Sequence, residues 1–297
     1  MKIKISSKTD VGKERVNNED AFTYCLDVDA LPWSIYSEDY VPLGELGAVS
    51  IVADGMGGAN AGEVASGIAV SCLENAFQDR LAISSLHSEK EIHDFLASAI
   101  EKVNEGALSY VEENLESAGM GTTIVVAWLL KDQIHIAWCG DSRCYRFNPA
   151  SGLVALTKDH SYVQELIDRK EISEEETIGH PDAHLITRCL GDVDASSVPE
   201  VKTFKVNEGD VFLLCSDGLC GYCSDGLIER IMFKCYTDVV KCTNELVSLA
   251  LNSGGYDNIT VSVISTLHDN AFAPHLSMRG KIRQWLSIII SNLKTIN

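Results

Sequence analysis

Five short segments each set an aspartate, mostly beside glycine or asparagine, at the end of an apolar or β-rich run. They are Asn17-Asn18-Glu19-Asp20, Val52-Ala53-Asp54-Gly55-Met56-Gly57-Gly58, Cys139-Gly140-Asp141-Ser142-Arg143, Cys215-Ser216-Asp217-Gly218 and Tyr256-Asp257-Asn258. Carboxylates carried on tight turns at strand ends let a chain collect hard oxygen ligands in one cleft without burying unpaired charge. The set is spread over most of the chain, so only a fold that converges these turns could use it. As a set, the segments point to a divalent-metal hydrolase. Taken singly, each also reads as an ordinary turn.

The glycine-rich run after Asp54 has a competing reading as a dinucleotide-binding turn between strand and helix. G-x-G-x-x-G would need glycine where Asn60 stands, and Asp54 would repel a pyrophosphate. Glu19 and Asp20 open a strand, so their side chains point to opposite faces; one can reach a metal while the other supports it. No Cys-x5-Arg loop occurs, which disfavours cysteine-dependent phosphatase chemistry. Cys220 and Cys223 form a C-x-x-C, but Cys235 and Cys242 follow at the wrong spacing and without a near histidine, so packing is the better reading than zinc.

The elements that must carry these turns follow from hydrophobic periodicity. Alternation predicts strands at 2–7, 21–26, 49–53, 122–130, 133–138, 144–147, 201–206, 211–215 and 259–265. Lys131-Asp132 reads as a tight hairpin turn. Helical spacing predicts helices at 61–77 and 88–116, and further helices at 225–233 and 237–251. Strands joined by short turns favour antiparallel sheets over βαβ winding, and hence two packed sheets flanked by helices. The charged segment 157–192 holds three histidines, breaks the strand pattern and reads as a flap beside the site. Beyond a catalytic domain at 1–267, residues 268–297 read as a linker and a short helix at 281–293, too short to span a bilayer.

Composition sets the outer bounds. The 297 residues are 45% hydrophobic, enough for a sizeable core, and no apolar stretch is long enough to cross a membrane. A formal charge of −19 argues against binding nucleic acid or an anionic membrane. Ten cysteines scattered through apolar runs, with no apolar signal core near residue 1, read as reduced thiols in a cytoplasmic protein.

The ordered set Arg15-x-x-x-Glu19-Asp20, Asp54-Gly55-Met56-Gly57-Gly58, Gly121-Thr122-Thr123, Gly140-Asp141-Ser142-Arg143, Ser216-Asp217-Gly218 and Asp257-Asn258 resembles the metal-dependent Ser/Thr protein phosphatases of the protein phosphatase 2C type, in their bacterial form. Thr157-Lys-Asp-His160-Ser161 and His180-Pro181 resemble that form's flap. The resemblance implies an α+β fold, a four-layer α-β-β-α sandwich with two central, mostly antiparallel sheets, a metal cleft at one end and a flap subdomain. It implies two Mn²⁺ or Mg²⁺ ions, with Asp54 bridging both. Asp217 and Asp257 would complete one site, and Glu19 with the Gly55 carbonyl the other. Asp141 with Asp217 would form a third, weaker site.

In the same scheme Asp20 and Asn258 support the ligands and Arg15 holds the substrate phosphate. The cations would lower the pKa of a shared water for in-line attack on phosphoserine or phosphothreonine. Two departures stand out. Met56 takes the place of a histidine assigned as general acid in animal members, which leaves water or a flap group to protonate the leaving group; His160 is a candidate for that role, with a structural histidine as the alternative. Gly221 stands where many members carry another aspartate. The implied partners are phosphoproteins and an opposing Ser/Thr kinase, with a monomer as the default. A silent relative that only binds a partner, and a phosphodiesterase, are the competing readings.

Overall fold

Two antiparallel sheets lie face to face between helices in the computed structural model, which describes residues 1–30, 32–57, 61–173, 175–177 and 180–268. The strands are β1 (Lys2–Asp10), β2 (Asp20–Cys25), β3 (Val41–Pro42), β4 (Ala48–Met56), β5 (Gly121–Thr122), β6 (Ile124–Leu130), β7 (Gln133–Cys139), β8 (Arg143–Asn148), β9 (Gly152–Ala155), β10 (Glu200–Lys205), β11 (Val211–Cys215) and β12 (Ile259–Leu267). The helices are α1 (Ala61–Gln78), α2 (Arg80–Ser84), α3 (Glu89–Glu113), α4 (Tyr162–Asp168), α5 (Asp217–Cys220), α6 (Asp225–Cys235) and α7 (Val239–Asn252). One sheet runs β3-β1-β12-β11-β8-β9 and the other β10-β7-β6-β4-β2, with β5 attached to β4. This is the α+β sandwich that the sequence implied.

Side-chain alternation builds the layers. On β4, Val49, Ile51 and Ala53 pack outward against α1 and α3, whereas Ala48 and Val52 pack inward between the sheets. The inner layer joins Ile3, Ile5, Tyr24, Val125, Trp138, Phe212, Leu214 and Ile264. On the far side, α6 and α7 cover Leu213, Val261 and Val263. α3 begins at a capping box in which Ser88 and Glu91 satisfy each other's backbone N–H groups. Its buried stripe (Ile92, Leu96, Ala99, Ile100, Val103, Ala107) has helical spacing. Lys131, at φ 56°, turns β6 into β7, as the hairpin reading expected.

Most predicted elements are present within a few residues, and β11 has the predicted bounds. The predicted strand at 122–130 is divided: Thr122 pairs with Gly55 on β4, while Ile124 onward pairs with both β4 and β7. The helix predicted at 88–116 stops at Glu113, where Asn114 caps it. β3, β9, α2, α4 and α5 were not anticipated; all are short, which leaves little periodicity to read. The tail helix expected at 281–293 lies outside the described residues.

Phe77 anchors the layer between the outer helices and the β4 sheet, with ring centroids 5.2 Å from Trp128 and 5.4 Å from Phe95. Phe77→Ala should cost about 3–5 kcal/mol. The check is urea unfolding: the midpoint should drop while the slope stays unchanged.

Candidate active site

The alternation that builds the inner layer also delivers the site. Continuing the inward face of β4 past Val52 places Asp54 between the sheets, and on β2 the face of Tyr24 and Phe22 ends in Asp20. Asp20 and Asp54 are direct cross-strand partners. On the opposing sheet the inward face of Phe212 and Leu214 continues to Ser216. The Ser216 hydroxyl donates to Asp20 Oδ2 at 2.7 Å and accepts from the Thr260 N–H at 2.9 Å. The apolar inner layer therefore ends at one pole in polar groups supplied by both sheets.

Asp217 follows Ser216 as the first residue of α5, and Gly218 behind it packs so tightly on the Asn258 carbonyl that a side chain there would overlap it. Asp54 faces Asp20 across the strand pair, and its carboxyl lies close enough to Asp20, Asp217 and Asp141 to feel the charge of each. Like charges gathered out of water in this way favour a proton or a cation among them. Burial, then the charges of Asp20, Asp217 and Asp141, pushes Asp54 well above the usual carboxylate range. Burial pushes Asp217 up to about 7, with Asp257 adding to the rise, and Asp20 up to about 6.

Glu19 and Arg15 sit at the rim. Glu19 is raised by burial and held back by Arg15. Its carbonyl accepts from the Gly55 N–H at 3.1 Å and from the Ser66 hydroxyl at 2.6 Å, which fixes this residue against β4 and α1. Gly55 lies so close to the Gly62 and Glu19 carbonyls that a Cβ would not fit. Arg15 Nη2 donates to Asp257 Oδ2 at 2.8 Å, and that bond, ahead of the neighbouring charges, raises the guanidinium. Asn258 ties the start of β12 to the segment between β1 and β2. It accepts from the Glu19 N–H at 2.8 Å and donates to the Val11 carbonyl at 3.0 Å and the Asn17 carbonyl at 2.9 Å.

Asp141 occupies the turn between β7 and β8, raised by burial and then by Asp217. The turn is braced from beneath by His160: the Gly140 N–H donates to His160 Nδ1 at 3.1 Å, and the His160 N–H donates to the Gly140 carbonyl at 3.0 Å. With Nδ1 accepting, the ring proton sits on Nε2, 3.3 Å from Glu200. His160 is buried, stacked on Trp138 and shifted downward by burial first. Both ring nitrogens are engaged within the protein, so the expectation of a leaving-group acid finds no support in its placement. Arg143 likewise serves the scaffold, gripping Asp159 at 2.6 and 2.7 Å.

Asp20, Asp54, Asp141, Asp217, Asp257, Glu19 and Arg15 are thus brought to one pole, and His160 is set behind it. The sequence reading gave no role to Thr122 and Thr123, although it quoted them. The Asp54 carbonyl accepts from the Thr123 N–H at 2.8 Å and the Thr122 hydroxyl at 3.0 Å, so they fix the Asp54 backbone. It also missed Ser216 and Ser66 as supports. A divalent cation suits this donor set: every side-chain donor is a hard oxygen, and one buried oxygen each of Asp20 and Asp141 has no hydrogen-bond partner. Among the described residues, no three such side chains are already closed around one point as a finished cage. Asp257 is held by Arg15 and Asp20 by Ser216 instead.

Fold and site together are those of an α-β-β-α sandwich hydrolase. A family model described as Protein phosphatase 2C matches residues 35–254. The serine/threonine phosphatase stp of Listeria innocua is 36% identical over 259 residues, which cover 86% of this chain and 93% of that protein. The protein phosphatase PhpP of Streptococcus pneumoniae is 33% identical over 276 residues, covering 91% of this chain and all (100%) of that one. Among solved structures, the catalytic domain of the phosphatase PstP in complex with 2 manganese ions matches with TM-score 0.71 and 30% identity, over 90% of this chain and 99% of that one. Stp1 of Staphylococcus aureus matches with TM-score 0.75 and 30% identity, over 89% and 95% of the two chains. The chain belongs to the protein phosphatase 2C family, enzymes of the protein-serine/threonine phosphatase class.

The carboxylate cluster has a pH signature in metal-free protein. A carboxyl whose folded pKa lies above its unfolded value of about 4 keeps a proton that the unfolded chain has lost. Between that value and the folded values of about 6 for Asp20 and about 7 for Asp217, rising pH therefore destabilises the fold. The melting temperature of chelator-treated protein should fall between pH 5 and pH 7.5, and added Mn²⁺ should restore more at the higher pH. A melting temperature that is flat or rises across this window would contradict the cluster.

Proposed function

We propose that this chain hydrolyses phosphoserine and phosphothreonine in proteins with the aid of two Mn²⁺ or Mg²⁺ ions, reversing the action of a Ser/Thr kinase. The observation that carries the reading is the gathering of Asp54, Asp20 and Asp217 in one buried cluster, at the pole that also holds Glu19, Asp257 and Arg15. In this reading Asp54, Asp217 and Asp257 would hold one ion, and Asp54, Glu19 and the Gly55 carbonyl the other. Asp141 with Asp217 offers a third, weaker position, without an aspartate at Gly221 to strengthen it. The two manganese ions named for the PstP neighbour support the count.

When bound, such ions supply Lewis-acid activation of water and neutralise charge on the phosphoryl group. The chain's own residues do the rest. Arg15 offers paired N–H donors to phosphate oxygens while Asp257 orients it, and this charge-assisted contact favours a dianion. Asp20, fixed by Ser216, and Asn258, bonded to Val11, Asn17 and Glu19, hold the acidic groups in register. Thr122 and Thr123 hold the Asp54 backbone where the inward face of β4 ends. A cytoplasmic site of action is part of the proposal, supported by ten cysteines that are all free thiols.

The test is phosphate release from a phosphothreonine peptide in Mn²⁺. Asp54→Asn should lower kcat/KM by about a thousandfold, the several kcal/mol that metal activation contributes. Arg15→Ala should raise KM about tenfold through loss of a charge-assisted contact. No release by the wild-type chain in excess Mn²⁺ would sink the enzyme reading. Faster hydrolysis of a phosphodiester than of the peptide would overturn the substrate assignment.

A further inference from the structure

Two tyrosines stand exposed beside the acidic pole and take no part in the chemistry above. Tyr222 is 44% exposed and Tyr256 is 53% exposed, with ring centroids 5.4 Å apart and planes tilted by 44°. Tyr256 directly precedes Asp257, whose carboxylate holds Arg15. Tyr222 lies just past α5, which begins at Asp217. The Tyr222 phenol is raised by burial and then by the charges of Asp217 and Asp257, which places it within their field.

Both rings sit on braced turns. Gly254 (φ +130°) and Gly255 (φ +63°) adopt backbone conformations that favour glycine, and a Cβ on Gly254 would strike the Tyr256 ring. The Lys13 N–H donates to the Gly255 carbonyl at 2.7 Å, fastening this turn to the loop that leads to Arg15. The Cys223 thiol donates to the Ser253 hydroxyl at 3.3 Å, fastening the Tyr222 turn to the same place. Rigid rings lose little entropy on binding, and an exposed aromatic pair at a site mouth offers apolar area where the surrounding groups are charged.

We propose that Tyr222 and Tyr256 form the platform for the peptide next to the phosphorylated residue, and that they select an apolar side chain there. The inference rests on the phosphoprotein reading given above and adds a specificity to it. Continuity with the acidic pole fixes the occupant: a phosphoresidue held by Arg15 must pass its neighbouring side chains over the turn that carries Tyr256. A nucleotide base could also stack on these rings, but the formal charge of −19 disfavours such an anionic ligand away from the phosphate subsite.

The experiment compares two phosphothreonine peptides that differ only in having leucine or serine beside the phosphoresidue, together with N-acetyl-phosphothreonine methylamide, which has no flanks. With the leucine peptide, Tyr222→Ala or Tyr256→Ala should raise KM roughly tenfold and leave kcat within about twofold. The serine peptide and the minimal substrate should be unaffected, and Tyr222→Phe and Tyr256→Phe should behave as wild type. Equal KM for both peptides in the wild type would overturn the proposal. So would a uniform loss on all three substrates in the alanine variants, or stronger competition by a nucleoside monophosphate than by the leucine peptide. If the wild type releases no phosphate from any peptide, the phosphatase reading fails. Fluorescence anisotropy of the labelled leucine peptide, which needs no turnover, then decides the platform by whether the alanine variants weaken binding.

Discussion

Burying several like charges at one end of a β-sandwich is the constraint on which the rest of this structure depends. Asp54 lies beside Asp20 across the strand pair, with Asp217 and Asp141 close enough to add to its rise. Carboxylates so placed repel one another and lose hydration, so the fold must supply what holds them in place. It does so from both sheets: Ser216 and Thr260 from the β11–β12 side, and Thr122 and Thr123 from the β5–β6 side. A cation among these oxygens turns the same repulsion into coordination, so an arrangement that is costly alone suits a metal enzyme.

Support reaches the site from far along the chain. Asn258, just before β12, bonds to Glu19, Val11 and Asn17, so the first and last described segments close the site together. The pairing of β1 with β12 over their full lengths makes that closure possible. His160 shows how a residue type can mislead. A histidine near a carboxylate cluster invites a proton-transfer role, yet its two engaged ring nitrogens and its stacking on Trp138 make it a prop for the Asp141 turn.

Electrostatics set the substrate problem. The chain carries −19 overall, and a phosphoprotein brings further negative charge to an acidic pole. Long-range attraction therefore contributes nothing to capture, and local contacts must do the work. In the proposed function Arg15, held by Asp257, is the charged contact for the phosphate. The proposed platform of Tyr222 and Tyr256 beside it would add affinity that is independent of charge.

Much of this was legible in the sequence because period-two alternation is a local signal. The runs at 49–53 and 211–215 announced β4 and β11, and extending their inward faces leads to Asp54 and Ser216. Short elements such as α4, α5 and β9 span too few residues to display a period, so only tertiary contacts specify them. The order of the acidic turns, from Glu19-Asp20 to Asp257-Asn258, was likewise written in the sequence and sufficed to name the family they resemble. Whether five turns meet at one pole, which groups engage the two nitrogens of His160 and which tyrosines flank the site depend on strands far apart in sequence. Those contacts arise only when the two sheets close on each other, because the distances involved are set by packing between elements and not by spacing along the chain.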